Sequence, residues 1–126
     1  MQLSAIGIVS TNIVESVRFY TLLGLQFEAC DKTTQHVEAT TKTGLRVMLD
    51  AEELIKKLKP HWVKPNIASM ALAFDCGTAK GVDEAFKQIK DAGFKHEKEP
   101  WDAFWGQRYA TVIDPDGNSV DLFAAL

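Results

Sequence analysis

The sequence predicts an α+β fold made of two successive β-α-β-β-β modules. Three observations carry this reading. A helix, a stopping glycine, an aliphatic or aromatic residue and then a strand occur in that order at residues 17–27 and again at 86–96. Pro60 and Pro65 break the chain near its middle, around His61 and Trp62. The chain closes on two apolar runs either side of Asp114-Pro115-Asp116-Gly117, where Pro presets φ and Gly supplies the backbone shape that ends the turn, so a hairpin is expected. One domain of 126 residues then consists of a first repeat, 1–58, a linker, 59–67, and a second repeat, 68–126.

The elements follow in order. Residues 3–9 are apolar and partly β-branched, as a buried strand would be. Asn12 is a helix N-cap, with Glu15 three residues on able to complete a capping box. The helix reaches about residue 23, with Ile13, Val17 and Tyr20 on one face and Phe19 and Leu23 widening it, and Gly24 stops it. Three alternating strands follow at 25–29, 35–40 and 45–50. Residues 51–58 form a short helix. The second repeat has a strand at 68–75 and a helix at 80–92 that buries Val82, Ala85, Phe86, Ile89 and Ala92 and is capped by Gly93. A strand at 94–99, an aromatic loop with Trp101, Phe104 and Trp105, and the strands 107–113 and 119–123 complete it.

Composition excludes some classes. The net charge is −3 with no long basic run, which is unlike a phosphate-neutralising nucleic-acid surface. Lys56, Lys57, Lys59 and Lys64 follow Glu52 and Glu53 and read as a solvated helix face. No apolar run is long enough to span a bilayer. Cys30 and Cys76 are not in a C-x-x-C arrangement, and the N-terminus lacks a charged start, so a cytoplasmic chain with reduced thiols is expected.

The closing strand alternates Ser119, Asp121 and Phe123 with Val120 and Leu122, placing a carboxylate mid-strand. Asp121 is the candidate catalytic group, against the plain alternative of a solvent-facing Asp on an antiparallel sheet.

The helix end Arg18-Phe19-Tyr20 with Leu23-Gly24-Leu25, the segment Trp105-Gly106-Gln107-Arg108, and Asp114-Pro115-Asp116-Gly117-Asn118 running to Val120-Asp121-Leu122 together resemble the vicinal oxygen chelate superfamily. This is the family of glyoxalase I, extradiol dioxygenases, fosfomycin resistance enzymes and bleomycin resistance proteins. The resemblance covers essentially the whole chain. It implies the glyoxalase/bleomycin resistance fold, in which each module curls into part of a curved mixed sheet around a pocket. The modules pair within one chain or are exchanged between the chains of a dimer. It also implies four positions for ligands of a divalent metal, falling here on Ala5, Met48, Ser69 and Asp121. Only Asp121 is a competent ligand, whereas a catalytic site needs about three, so no metal and no cofactor are expected. A rearranged His36, Glu38 and Asp121 set is the minority alternative to rim residues.

The metal-free members that the chain resembles are the bleomycin resistance proteins, dimers that sequester antibiotics. The expectation is therefore a homodimeric, metal-independent protein that binds a small, flat, partly aromatic molecule. Small residues on two strands (Ala5, Gly7 and Val9; Ser69, Ala71 and Ala73) leave room for it. Trp62, Trp101, Phe104 and Trp105 would stack on it. Arg46, Asp121 and Arg108 would supply polar contacts, with Met48 and Phe123 as packing. The competing class is an enzyme, a glyoxalase-like lyase or isomerase acting on a small carbonyl compound, with Asp121 as general base beside Arg46 or Arg108. A third is a fold member that offers only an interaction surface.

Overall fold

Polar caps and glycine stops bound the two longer helices in the computed structural model, which describes residues 1–126. Asn12 accepts the Glu15 N–H at 3.2 Å and starts α1, Ile13–Leu22. Gly24 ends it with φ near +90°, which only glycine adopts without strain, while the Leu25 N–H returns to the Tyr20 carbonyl. The same device recurs at Gly93, where the Phe94 N–H returns to the Ile89 carbonyl. The elements group into two units, Met1–Pro65 and Asn66–Leu126.

In the first unit β1, Ala5–Ser10, runs parallel to β3, Arg46–Ala51, and β2, His36–Thr40, pairs antiparallel on the other side of β3. Val37, Ala39, Val47, Leu49 and Ala51 share the buried face. A ten-residue helix is marginal alone in water. Ile13, Phe19 and Tyr20 of α1 are buried, each contributing roughly 1.5–3 kcal/mol. Ser16 is buried with them and meets the Ser10 hydroxyl of β1 at 2.6 Å. This corrects the expected stripe, in which Val17 held that place; Val17 is only half-buried. A short helix α2, Glu52–Leu58, follows β3.

The expected strand at 25–29 does not form, so this module has three strands. Leu25 is buried and Phe27 half-buried, while Gln26 and Glu28 are exposed. The alternation is real, but side chains alone anchor the segment and no neighbouring backbone completes a ladder.

The second unit contains β4, Leu72–Asp75; α3, Ala79–Asp91; β5, His96–Ala103; β6, Gln107–Ile113; and β7, Ser119–Ala125. The strand order is β4-β7-β6-β5, with β4 parallel to β7 and the other pairs antiparallel. Val82, Phe86 and Ile89 of α3 are buried, as are Ala110, Val112, Val120, Leu122 and Ala124 of β6 and β7. Two expected boundaries move. Residues 68–71 precede β4 without a ladder, so Ser69 is on no strand and is exposed. The strand expected at 94–99 lies at 96–103, which puts Trp101 in β5 and leaves Phe104 and Trp105 in the hairpin turn. Bulges between His96 and Trp101 absorb the irregular phase.

The β6–β7 hairpin is built by Asp114, which is 3% exposed. Its Oδ1 accepts the Asp116 and Asn118 N–H groups at 2.9 and 2.8 Å, and its Oδ2 accepts the Asn118 side-chain amide at 2.8 Å. The motif thereby fixes Ile113 opposite Ser119 and, counting outward, Thr111 opposite Asp121 and Tyr109 opposite Phe123.

Candidate functional site

Strand alternation divides the second sheet into two faces. The face turned to α3 carries Ala110, Val112, Val120 and Leu122. The opposite face carries two cross-strand rows. One contains Lys98, Thr111, Asp121 and Ala73, and the other contains Trp101, Tyr109, Phe123 and Asp75.

Asp121 is half-buried and accepts the Thr111 hydroxyl at 2.8 Å. The Tyr109 hydroxyl also bonds to it. Burial first, and then the Asp121 hydrogen bond and charge, push the Tyr109 phenol up to about 12. Tyr109 therefore remains a proton donor to Asp121 at any ordinary pH.

The aromatic residues form one edge-to-face cluster. Trp105 meets Trp101 at 5.4 Å and 90°, Tyr109 at 5.3 Å and 80°, and Phe104 at 4.9 Å and 87° between ring centroids. The Trp105 indole N–H donates to Gln107 Oε1 at 2.7 Å, which fixes its ring. The Trp101 Nε1 is buried and has no hydrogen-bond partner. Phe104 is 92% exposed and Trp105 48%. Lys98 Nζ stands over the Trp101 ring, 5.0 Å from its centroid.

The candidate residues do not all gather here. Trp101, Trp105, Asp121 and Phe123 do, with Phe104 at the rim. Arg108 is one residue out of phase and points to the α3 face. There its Nε donates to Asp83 of α3 at 2.9 Å and its Nη1 to Asp102 at 3.1 Å. Those two carboxylates raise its pKa, and they tie the hairpin to the helix. Tyr109, Thr111 and Lys98 were not among the candidates; counting outward from the Ile113–Ser119 pair would have found the first two.

Arg46, Met48 and Trp62 belong to the first unit. The face of its sheet away from Val47 and Leu49 carries Ala5, Gly7 and Val9 on β1, Arg46, Met48 and Asp50 on β3, and Glu38 and His36 on β2. His36 Nδ1 lies 2.5 Å from Asp50 and its Nε2 lies 2.9 Å from Glu38, and Arg46 reaches Glu38 at 3.3 Å. Asp50 and then Glu38 raise the His36 pKa, and His36 and then Arg46 lower that of Glu38. Trp62 follows α2, its N–H bonded to the Lys59 carbonyl. A cavity of about 300 Å³ lies elsewhere in this unit, between Thr11, Asn12, Lys32, Gln35 and Glu52. No candidate residue lines it, and its walls lack the apolar character usual for a small-molecule site.

Comparison with known proteins decides the family. The sequence profile of the glyoxalase/bleomycin resistance protein/dioxygenase superfamily matches residues 2–122. The chain belongs to this superfamily. A bleomycin resistance protein of Geobacillus stearothermophilus is 34% identical over 64 residues, 45% of this chain and 48% of that protein. The match thus spans about half the length of the curated relative. A crystal structure of a superfamily enzyme from Burkholderia phytofirmans superposes with TM-score 0.84 at 22% identity, covering 100% of both chains. A glyoxalase-related enzyme from Fulvimarina pelagi gives 0.84 at 18% identity, over 98% of this chain and 87% of that one. At such identities these structures show the shared fold.

The enzymes of the superfamily imply a divalent metal, and the residues here do not fit one. In the first unit Ala5 and Met48 offer no hard oxygen or nitrogen donor. In the second unit Ser69 is on an exposed segment before β4, and Asp121 is engaged by two hydroxyls. Of the rearranged set, His36 has both ring nitrogens bonded to carboxylates, and Asp121 is held by hydroxyls. No three His, Cys, Asp or Glu side chains converge as metal ligands. No helix is long and apolar enough to cross a membrane.

Proposed function

We propose that this protein binds a small, flat, partly aromatic molecule and holds it unchanged, as a sequestering member of bleomycin-resistance type. One observation carries the reading: Trp101, Trp105 and Tyr109 form one ring cluster, with Phe123 in register beside Tyr109 and the Tyr109 hydroxyl bonded to the Asp121 carboxylate, on the sheet face that α3 leaves uncovered. Rigid edge-to-face rings supply contact area at small entropic cost, and one central polar group orients what lies on them. Phe104 closes the rim, and Arg108 supports the hairpin from the other face. The working form in this reading is a homodimer.

Calorimetric titration with bleomycin as the first probe tests it. Trp101→Ala and Trp105→Ala should each weaken binding about threefold to tenfold, the range for losing one aromatic contact. Asp121→Asn should weaken it modestly, and the probe should be recovered chemically unchanged. Binding that is indifferent to both tryptophans would remove the proposal.

A second reading has its own support. Asp121 beside the proton of Tyr109 is an acid–base pair. A glyoxalase-like lyase or isomerase would use it on an activated carbonyl compound. Asp121→Asn then abolishes turnover and spares affinity, which is the opposite pattern.

A further inference from the structure

Lys98 and Asp121, on the open face of the second sheet, have no ion-pair partner. Lys98 lies on β5 in register with Thr111 of β6, which is in register with Asp121 of β7. Lys98 is in no ion pair; its ammonium rests on the Trp101 ring. Asp121 is held by the hydroxyls of Thr111 and Tyr109, and no basic side chain reaches it. Most nearby charges of other elements are spent elsewhere. Glu99 meets Lys90 and His96, and Asp102 and Asp83 hold Arg108; Asp75, at the β4 end of the aromatic row, accepts the Gly77 N–H and keeps its charge. Two inter-strand steps separate Lys98 from Asp121, about 10 Å across the sheet. Thr111 lies between them, and the Trp101, Tyr109 and Phe123 row runs alongside.

From this arrangement we infer that the ligand of this face is a flat aromatic zwitterion, with an acidic group and a protonated amine at opposite ends of its ring system. The inference rests on the binding reading above and specifies its ligand class. The acidic end replaces solvent at Lys98, and the amine end meets Asp121. The ring lies along the aromatic row. A ligand with only a cationic end forgoes the contact at Lys98, and one with only an acidic end forgoes that at Asp121, so each gains less from this face than a zwitterion does. The hydroxyls of Thr111 and Tyr109 keep Asp121 in place before anything binds, which limits the ordering cost of recognition.

A piperazinyl quinolone carboxylic acid carries these groups at opposite ends of its fused rings. Four forms make the test: the parent zwitterion, its methyl ester, its N-acetyl derivative, and the doubly blocked neutral compound. Calorimetry on the full chain should give the parent an affinity about tenfold above each singly blocked form, the scale of one charge-assisted contact. Lys98→Gln should erase the difference between parent and ester, and Asp121→Asn that between parent and N-acetyl compound. Both substitutions are near-isosteric at positions that are exposed or half-buried, so the fold is retained. Singly blocked forms that bind as tightly as the parent would overturn the inference. So would binding of the neutral form alone, which leaves the binding reading standing. If none of the four binds, the inference falls, while the bleomycin titration decides the binding reading separately.

Discussion

Asp114→Ala should destabilise the closing hairpin by removing the acceptor on which its turn is built. The carboxylate is almost fully buried and accepts three hydrogen bonds, two from backbone N–H groups of its own turn. Alanine removes all three acceptor contacts and leaves the Asp116 and Asn118 N–H groups without that partner. Each stranded donor costs about 1–3 kcal/mol, and partial hydration of a turn moderates the sum to about 3 kcal/mol. For a chain of this size that corresponds to a fall of roughly 12 °C in Tm. Asp114→Asn keeps an oxygen for the two backbone donors and loses the charge and the Asn118 amide contact, so it should cost about 1 kcal/mol. Urea unfolding followed by circular dichroism measures both. A cost for alanine below about 1 kcal/mol, or equal costs for alanine and asparagine, would refute the claim that this carboxylate builds the turn.

Three further outcomes follow from the geometry. In alkaline titration at 295 nm, the tyrosine lost in Tyr109→Phe should be one that ionises near 12, and Asp121→Asn should lower it without returning it to 10, because burial is the larger cause; ionisation near 10 in the parent would contradict this. Ser16→Ala strands the Ser10 hydroxyl in the core and should cost about 1–2 kcal/mol, whereas the double change Ser10→Ala with Ser16→Ala should cost little more than the single one; strict additivity in unfolding experiments would sever the pair. His36 should titrate above 6.5 by NMR and move back toward it in Asp50→Asn. Its folded pKa is raised, so its contribution is full below about 6.5 and is lost as pH rises through the folded value. Parent stability should therefore decline relative to His36→Gln across that window, and a rise would reverse the assignment.

Much of the scaffold was legible because the signals are local. Asn12, Gly24, Gly93 and the Asp114 turn act through their own backbone, and their effects need no distant partner. Ladders are different. Residues 25–29 alternate as a strand does, yet pairing depends on a neighbour that the segment itself does not specify. Val17 was the better apolar guess for the helix stripe, but Ser16 is buried because Ser10 lies across from it. Strand alternation across the hairpin puts Arg108 with Asp121, but the register is one residue out of that phase and Arg108 lies on the other face. Asp121, Trp101, Trp105 and Phe123 did converge. Their neighbours Tyr109, Thr111 and Lys98 emerge from register, as does the His36 bridge between Asp50 and Glu38.

Native mass spectrometry tests the central claim most directly, applied to the parent chain and to Trp101→Ala with Trp105→Ala. Both are purified identically, mixed with bleomycin, and examined before and after release of what is bound. The account predicts one bound molecule per parent chain, released with its mass unchanged, and none on the double variant. An equal adduct on both proteins, or release of the molecule with an altered mass, would contradict it.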